Sequence, residues 1–108
     1  MEYTIKIYEG KYDYGYIKGR IEDFYWYALV HTEPLNHGIN KKCIDENYGR
    51  VTRLCVYKYV NNLKDFSVGR KIYADYKRHW GILNEEYIHM IECLVMYLER
   101  RFSMSIIK

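Results

Sequence analysis

Hydrophobic and polar residues alternate along much of the chain, which is the pattern of strands that bury one face. Residues 3–7 and 16–21 show this alternation near the N-terminus. Residues 24–30 are rich in aromatic and β-branched side chains and predict a central strand that is covered on both faces. Alternation resumes over residues 50–60 and 68–76, which predict two further strands.

The alternation is lost between residues 32 and 48, where turn-forming residues accumulate beside charged pairs. The turn formers are Pro34, Asn36, Gly38, Asn40 and Asn47. They predict a loop of about 17 residues, a length that is usually functional or mobile. Because binding residues are commonly carried by loops on a rigid scaffold, we expect a partner to bind at this loop and at its flanking strand ends.

Apolar residues return at helical spacing after Asn84 and predict an amphipathic helix over residues 84–102. Asn84 suits the N-cap, and the acidic pair Glu85-Glu86 suits the positive end of the helix dipole. The residues expected to face the core are Ile88, Ile91, Leu94, Val95 and Leu98. Residues 1–108 are therefore predicted to form one α+β domain, a single antiparallel sheet of four to five strands with this helix packed on one face.

Composition supports a globular domain and excludes several classes of protein. Hydrophobic residues make up 49% of the 108 residues and charged residues 29%, a balance that argues against disorder. The net charge of +3 falls short of a strongly basic nucleic-acid binder and excludes an acidic mimic of DNA. Three cysteines without close spacing, no apolar N-terminal segment and only short apolar runs predict a reduced cytoplasmic protein away from membranes.

The most unusual feature of the composition is 14 tyrosines beside a single proline. Tyr12, Tyr14 and Tyr16 alternate along one segment with Lys11, Lys18 and Arg20 close by, the combination that binds single-stranded nucleic acid. Tyrosine is also common as a half-buried strand residue and at protein interfaces, where it contributes area with little loss of rotamer entropy. The sequence leaves sheet packing, a protein interface and a nucleic-acid platform open.

The densest basic stretch has two interpretations. Arg70-Lys71 and residues 77–80, which read Lys-Arg-His-Trp, are suited to phosphate, a nucleotide or an acidic protein surface. Lysine and arginine on an edge strand also protect a sheet from pairing with another chain. The sequence does not choose between these interpretations.

Residues that carry catalytic or metal chemistry are sparse. His89 and Cys93 share one face of the predicted helix and form half of a metal site. Two more ligands would have to come from elsewhere, and no Cys-x-x-Cys or His-x-x-x-His pair supplies them. No nucleophile elbow, zinc-protease or P-loop motif is present. We therefore expect no enzymatic activity, no metal and no cofactor.

Two short motifs carry a resemblance to a known group of proteins. Residues 33–39 read Glu-Pro-Leu-Asn-His-Gly-Ile, and residues 49–54 read Gly-Arg-Val-Thr-Arg-Leu. This pair resembles a family of small uncharacterised proteins from Firmicutes and their phages, with the pattern Glu-Pro-Ser-x-x-Gly-Ile and then Gly-Arg-Ile/Val-Ser/Thr-Lys-Leu. Leu35 stands where that family usually has Ser, and residues 41–48 resemble an insertion. The resemblance implies a phage or prophage setting and no particular reaction.

Together these features predict a small non-enzymatic binding protein. The resemblance points to a phage or prophage accessory factor that inhibits a host protein or ribonucleoprotein complex, of the anti-CRISPR or another anti-defence type. It would act in the cytoplasm of the bacterial host as a monomer or homodimer. The alternative is a nucleic-acid or nucleotide-binding module that uses tyrosine, lysine and arginine. The residues expected to contact the partner are Tyr27, His37, Arg50, Arg53, Arg78 and Trp80.

Overall fold

The computed structural model describes residues 3–8, 15–62 and 67–106. Over these residues the chain forms six β-strands, a short 3-10 turn and an α-helix. The strands are β1 (Ile5–Ile7), β2 (Ile17–Ile21), β3 (Phe24–Ile39), β4 (Asn47–Asn62), β5 (Ser67–Lys77) and β6 (Trp80–Leu83). The 3-10 turn spans Glu85–Tyr87, and the helix, α1, spans Ile88–Ile106.

The strands form one sheet in the order β1-β2-β3-β4-β5-β6, and each runs antiparallel to its neighbours. The predicted α+β fold, one antiparallel sheet with a C-terminal helix, is thereby confirmed for the described residues. The predicted number of four to five strands is too low, because β6 has four residues and includes Gly81. Its sequence, Trp-Gly-Ile-Leu, does not alternate between apolar and polar residues, although the segment pairs with β5 through Ala74–Leu83 and Asp75–Ile82.

β3 and β4 are each 16 residues long and take up most of the loop predicted for residues 32–48. β3 continues to Ile39 and β4 begins at Asn47, so residues 40–46 alone connect them. The prediction of a long loop is wrong because turn-forming residues do not end this strand. The ladder accommodates them through shifts of register, which sequence patterns do not reveal.

Pro34 lies inside β3 at the largest of these shifts. β3 advances five residues from Val30 to Leu35, while β4 advances two residues from Val51 to Gly49. Proline is tolerated at such a bulge because no ladder hydrogen bond depends on its missing N–H. The bulge therefore lets the strand continue through a residue that normally interrupts one.

α1 packs on one face of the sheet and covers the hydrophobic core. The helix contributes residues that are 3% exposed or less, namely Met90, Ile91, Leu94, Val95 and Leu98. The central strands contribute Trp26, Ala28, Leu54, Val56, Ala74 and Tyr76. Of the predicted core residues of the helix, Ile88 is the exception, because it is half-buried at the first position of α1.

Asn84 begins the helical segment as predicted, but it does so through the 3-10 turn. Its side-chain oxygen accepts a hydrogen bond from the backbone N–H of Glu86 at 3.0 Å. The α-helix begins at Ile88 and continues to Ile106, past the predicted end at residue 102. The cap was recognisable because asparagine accepts this hydrogen bond from outside the helix.

β4 and β5 continue past the beginning of β3 as a two-stranded arm. The ladder between β3 and β4 begins at Tyr25 and Tyr57, whereas residues 58–62 of β4 continue to pair with residues 67–71 of β5. The arm therefore extends both faces of the sheet beyond its central strands. The face without the helix is the one that carries the candidate site.

Candidate binding face

The sheet face opposite α1 carries a continuous layer of tyrosines and cations. Because Trp26 and Ala28 are buried in the core, Tyr25 and Tyr27 point to the opposite side of β3. Neighbouring strands add their own alternate residues to this side. We call this surface the Tyr–Arg face, and its residues are Tyr16, Lys18, Arg20, Tyr25, Tyr27, Arg53, Tyr57, Tyr59, Arg70 and Asp75.

Five tyrosine rings form one contiguous cluster around Tyr57, which is 6% exposed. The ring of Tyr25 lies 5.9 Å from that of Tyr57 and is inclined by 23°, and Tyr59 packs edge-on at 5.4 Å. Tyr27 lies 6.1 Å from Tyr57, and Tyr16 extends the cluster by an edge contact with Tyr27 at 5.8 Å. These separations are typical of favourable aromatic pairs, so each ring restrains its neighbours.

Two arginines lie over this cluster from neighbouring strands. The guanidinium carbon of Arg70 is 4.6 Å from the ring centre of Tyr57 and 5.8 Å from that of Tyr59. Arg20 approaches the ring of Tyr25 at 5.3 Å. Cation–π contacts of this kind hold the planar guanidinium near the ring while leaving donors available for a carboxylate or phosphate.

Arg53 is the most firmly held cation of the face. Its guanidinium forms an ion pair with Asp75 and lies 5.3 Å from the ring of Tyr27. It also donates hydrogen bonds to the hydroxyl of Tyr27 at 3.2 Å and to the carbonyl oxygens of Tyr76 at 3.1 Å and Leu54 at 3.2 Å. Because these partners engage its guanidinium, the main role of Arg53 is to hold the neighbouring groups in position.

The charge of the face is strongly unequal. Its defined residues include four cations and one carboxylate, and that carboxylate, Asp75, is engaged by Arg53. Lys6 is the register partner of Arg20, and Lys77 is the register partner of Arg53, so both lysines extend the positive surface. Six of the chain's 17 lysines and arginines therefore lie on this side of the sheet, with Asp75 within the face and Glu22 beside Lys6 and Arg20 at its edge.

The pKa values of two tyrosines of the face shift in opposite directions, because one ring is enclosed and the other lies beside a hydrogen-bond donor and positive charges. Burial raises the pKa of Tyr57 to about 12, and a hydrogen bond with Tyr59 contributes to the rise. The pKa of Tyr59 is lowered, first by that hydrogen bond and then by the positive charges of Arg70 and Lys18. Because positive charge stabilises a phenolate at Tyr59, the surroundings of this ring also favour an anionic group of a partner.

Cys55 lies beneath the face and is 2% exposed. Burial is the main cause that raises the pKa of its thiol. Burial likewise raises the pKa of Tyr27, with a hydrogen bond to Cys55 as a further cause. The thiol is therefore protonated near neutral pH and enclosed, whereas a reactive cysteine needs a thiolate that is accessible to its substrate.

The structure brings together two of the six residues predicted to contact a partner. Tyr27 and Arg53 contact each other on the Tyr–Arg face. Arg50 lies elsewhere, 6% exposed, where its Nε donates to the carbonyl oxygen of His31 at 2.8 Å and its Nη1 to that of Glu99 at 2.6 Å. A guanidinium enclosed by these partners holds the fold together and has little surface to offer.

The other three predicted residues are Trp80 and His37, which lie near the connection of β3 and β4, and Arg78, which lies in the turn between β5 and β6. The indole N–H of Trp80 donates to the carbonyl oxygen of Ile44 at 2.8 Å, and its ring packs against Tyr76 at 5.0 Å. The Tyr76 hydroxyl donates to the carbonyl oxygen of His37 at 2.8 Å. Arg78 is exposed in the turn between β5 and β6, with a φ of 70°. Trp80 and His37 thus share a neighbourhood away from the Tyr–Arg face.

Sequence reasoning did not assign the rest of the face. Tyr57 and Tyr59 alternate with core residues of β4, but the pattern does not reveal that Tyr25 and Arg70 flank them across the ladder. Tyr16, one of the tyrosines predicted to form a platform, does belong to the face. Its predicted companions Tyr12 and Tyr14 lie outside the described residues.

His89 and Cys93, the candidate metal-ligand pair on the helix, gain no further ligands from the part of the chain that is described. His89 is exposed, and its Nδ1 lies 3.2 Å from the hydroxyl of Tyr3. Within residues 3–8, 15–62 and 67–106, no group of three histidine, cysteine, aspartate or glutamate side chains is arranged to hold a metal ion.

A second cationic surface lies on the helix side of the molecule. Lys41 and Lys42, from the connection of β3 and β4, line an open pocket of about 430 Å³ together with Met96 and Arg100 of α1. Both lysines are exposed. They carry the same charges as the cations of the Tyr–Arg face but lack the tyrosine cluster, which makes them a matched control for experiments on charge.

Comparisons with protein families, with curated proteins and with solved structures find no match to this chain. The resemblance to the Firmicutes and phage family therefore stays a prediction from the two motifs. Across the described residues, no helix has the length and apolar character needed to cross a membrane.

Proposed function

We propose that this protein is a non-enzymatic binding protein that holds a polyanionic partner on the Tyr–Arg face. The observation that carries the proposal is the cluster of five tyrosines overlaid by arginines on the helix-free face of the sheet. Three guanidiniums packed on aromatic rings are not required for a sheet face that is merely exposed to solvent. Tyrosine and arginine are the residues that contribute most to the affinity of binding surfaces.

The face is organised before a partner arrives. Arg53 is fixed by Asp75 and by carbonyl oxygens, and Tyr57 is buried beneath Arg70. A surface whose side chains already occupy their bound positions loses little conformational entropy on binding. Because most charged groups of the face are cations, the complementary partner presents phosphates or carboxylates.

The environment of the most enclosed nucleophile also favours binding over catalysis. The Cys55 thiol has a raised pKa and almost no exposed surface. Its register partners on the face are Tyr27 and Asp75, and the carboxylate of Asp75 is already held by Arg53. These properties support a role in recognition.

The motif resemblance supplies a setting for this activity. A phage or prophage factor that inhibits a host ribonucleoprotein complex would meet the phosphates of its nucleic acid, which suit a cationic face. We propose this setting on the strength of residues 33–39 and 49–54. Two glycines of these motifs, Gly38 and Gly49, lie at a close approach of β3 and β4, so the motifs also serve the fold.

Heparin chromatography with two charge-matched variants tests the proposed function. The first variant is Lys18→Ala with Arg70→Ala on the Tyr–Arg face, and the second is Lys41→Ala with Lys42→Ala on the helix side. Each variant loses two positive charges from exposed positions. We expect the first to elute at clearly lower salt than the second. Equal elution of the two variants would mean that net charge alone determines retention, and the proposed face would be wrong.

A further inference from the structure

Resting on the proposed function, we infer that the polyanion is a single-stranded nucleic acid whose bases stack on tyrosines of the Tyr–Arg face and whose phosphates contact the cations beside them. The face carries groups that suit both the base and the phosphate of a nucleotide. Aromatic rings stack on bases of any sequence, and lysine and arginine neutralise phosphates.

The register of the sheet places a cation directly across from a tyrosine at three positions. Lys18 is paired with Tyr27 and Arg20 with Tyr25 between β2 and β3. Between β4 and β5, Tyr59 is paired with Arg70. Side chains of register partners lie about 5 Å apart at Cβ. A nucleic-acid strand repeats a flat base and a charged phosphate. Each of the three register pairs supplies a tyrosine ring that suits the base and a cation that suits the phosphate.

Exposure determines which rings are available to bases. Tyr59 is 50% exposed at the base of the β4–β5 arm, whereas Tyr57 is enclosed and supports the others from beneath. Tyr16, Tyr25 and Tyr27 are half-buried at the surface. Tyr59 is therefore the ring whose removal most directly tests stacking.

Single strands fit this surface better than the other polyanions. A duplex keeps the faces of its bases inside the helix, so it would use the cations and leave the tyrosines without a function. An acidic protein surface would pair its carboxylates with the arginines, but it presents few flat π systems to the rings. A strand with unpaired bases satisfies both kinds of side chain at once.

Fluorescence anisotropy with labelled oligonucleotides measures the inferred stacking. The probes are a 20-nucleotide oligo(dT), a 20-nucleotide oligo(U), an abasic strand of equal length and a duplex of equal length. We expect both single strands to bind at least tenfold more tightly than the abasic strand and the duplex. Their affinity should also decrease linearly with the logarithm of salt concentration.

Substitutions of Tyr59 separate stacking from charge. Tyr59→Leu should weaken binding of oligo(dT) by roughly 5-fold to 100-fold, the usual effect of removing one stacking ring, and leave binding of the abasic strand within about twofold. Tyr59→Phe keeps the ring and should retain most of the affinity. Tyr48→Leu is the control, because Tyr48 is 56% exposed and lies outside the Tyr–Arg face. Thermal melting by circular dichroism shows that each variant is folded.

The outcomes distinguish this inference from the proposed function. If the abasic strand binds as tightly as oligo(dT), or Tyr59→Leu changes nothing, stacking is wrong, while face-dependent heparin retention would still support a polyanion site. If no oligonucleotide binds but heparin retention depends on the face, the inference of a nucleic acid is wrong while the polyanion site stands, with an acidic protein as the next partner to test. If heparin retention is the same for both charge variants, the proposed function itself fails.

Discussion

The backbone N–H of Arg50 donates to the Glu99 carboxylate at 2.8 Å, and the Arg50 guanidinium donates to the Glu99 carbonyl oxygen at 2.6 Å. Arg50 lies in β4 and Glu99 in α1, and the two residues are 6% and 7% exposed. These hydrogen bonds attach the helix to the strand at a buried position. Because buried polar groups depend on their partners, this contact is a requirement of the fold.

Arg50→Met should lower the free energy of unfolding by about 3 kcal/mol, since it removes the hydrogen bonds that the buried guanidinium donates to the carbonyl oxygens of His31 and Glu99. Chemical denaturation with urea measures the change. Arg100→Met is the control, because Arg100 neighbours Glu99 but is exposed. A loss below about 1 kcal/mol for Arg50→Met would show that the contact contributes little.

Gly38 and Gly49 lie where β3 and β4 approach most closely, and neither position has room for a side chain. A Cβ on Gly38 would overlap the carbonyl oxygen of Gly49, and a Cβ on Gly49 would overlap that of Ile39. Gly38→Ala or Gly49→Ala should therefore cost about 3 kcal/mol or more, because one backbone must move. Urea unfolding provides the measurement.

The matched control for these glycines is Gly69→Ala in β5, where a Cβ would meet Val60 at 3.9 Å and nothing closer. This substitution should leave stability unchanged or raise it by up to about 1 kcal/mol, since alanine restricts the unfolded chain. If Gly38→Ala and Gly69→Ala had the same effect, the close approach of β3 and β4 would be contradicted.

The buried stripe of α1 should dominate the stability that the helix provides. Ile91 and Leu94 are fully buried, so Ile91→Ala or Leu94→Ala should cost about 2–5 kcal/mol through lost transfer energy and the cavity left behind. Met96→Ala should cost less than about 1 kcal/mol, because Met96 is 39% exposed on the same helix. If Ile91→Ala lowered the free energy of unfolding no more than Met96→Ala, the burial of this stripe would be contradicted.

The helix and the body of the sheet could be predicted because one periodicity runs through each of them. Leu94 and Leu98 recur at helical spacing, and Leu54 and Val56 alternate with Arg53 and Tyr57 along β4. The prediction that residues 24–30 are covered on both faces is wrong, because α1 covers one face of this strand only. The continuation of β3 past Thr32 could not be predicted, because its pairing with β4 depends on bulges around Pro34. Local residue preferences describe short segments, whereas strand pairing is decided by the partner strand.

The candidate site was only partly predictable for a related reason. Tyr27 and Arg53 were chosen from the sequence, and the structure places them in contact. Arg50 resembles Arg53 in the motif but lies on the other side of a register shift and packs against Glu99. The face of the sheet that an arginine side chain reaches depends on the pairing register of its strand, and a bulge changes that register.

Alkaline pH should destabilise the protein through its buried tyrosines. Burial raises the pKa of Tyr57 to about 12 from an ordinary value near 10, and burial also raises the pKa of Tyr76. In both cases the folded state retains the phenol proton at a pH where the unfolded chain has lost it. The stabilisation is therefore fully present below about pH 10 and is lost as the pH rises towards 12.

Urea unfolding of the wild type between pH 9 and pH 12 should show this loss, and Tyr57→Phe should reduce its steepness because phenylalanine has no proton to release. Tyr57→Phe also removes a hydrogen bond with Tyr59, so its stability at neutral pH should fall by about 1 kcal/mol. Tyr48→Phe is the matched control, since it removes the hydroxyl of a tyrosine that is 56% exposed and lies outside the Tyr–Arg face. If Tyr57→Phe lost stability as steeply as the wild type, the enclosed position of Tyr57 under Arg70 would be wrong, and with it the support beneath the Tyr–Arg face.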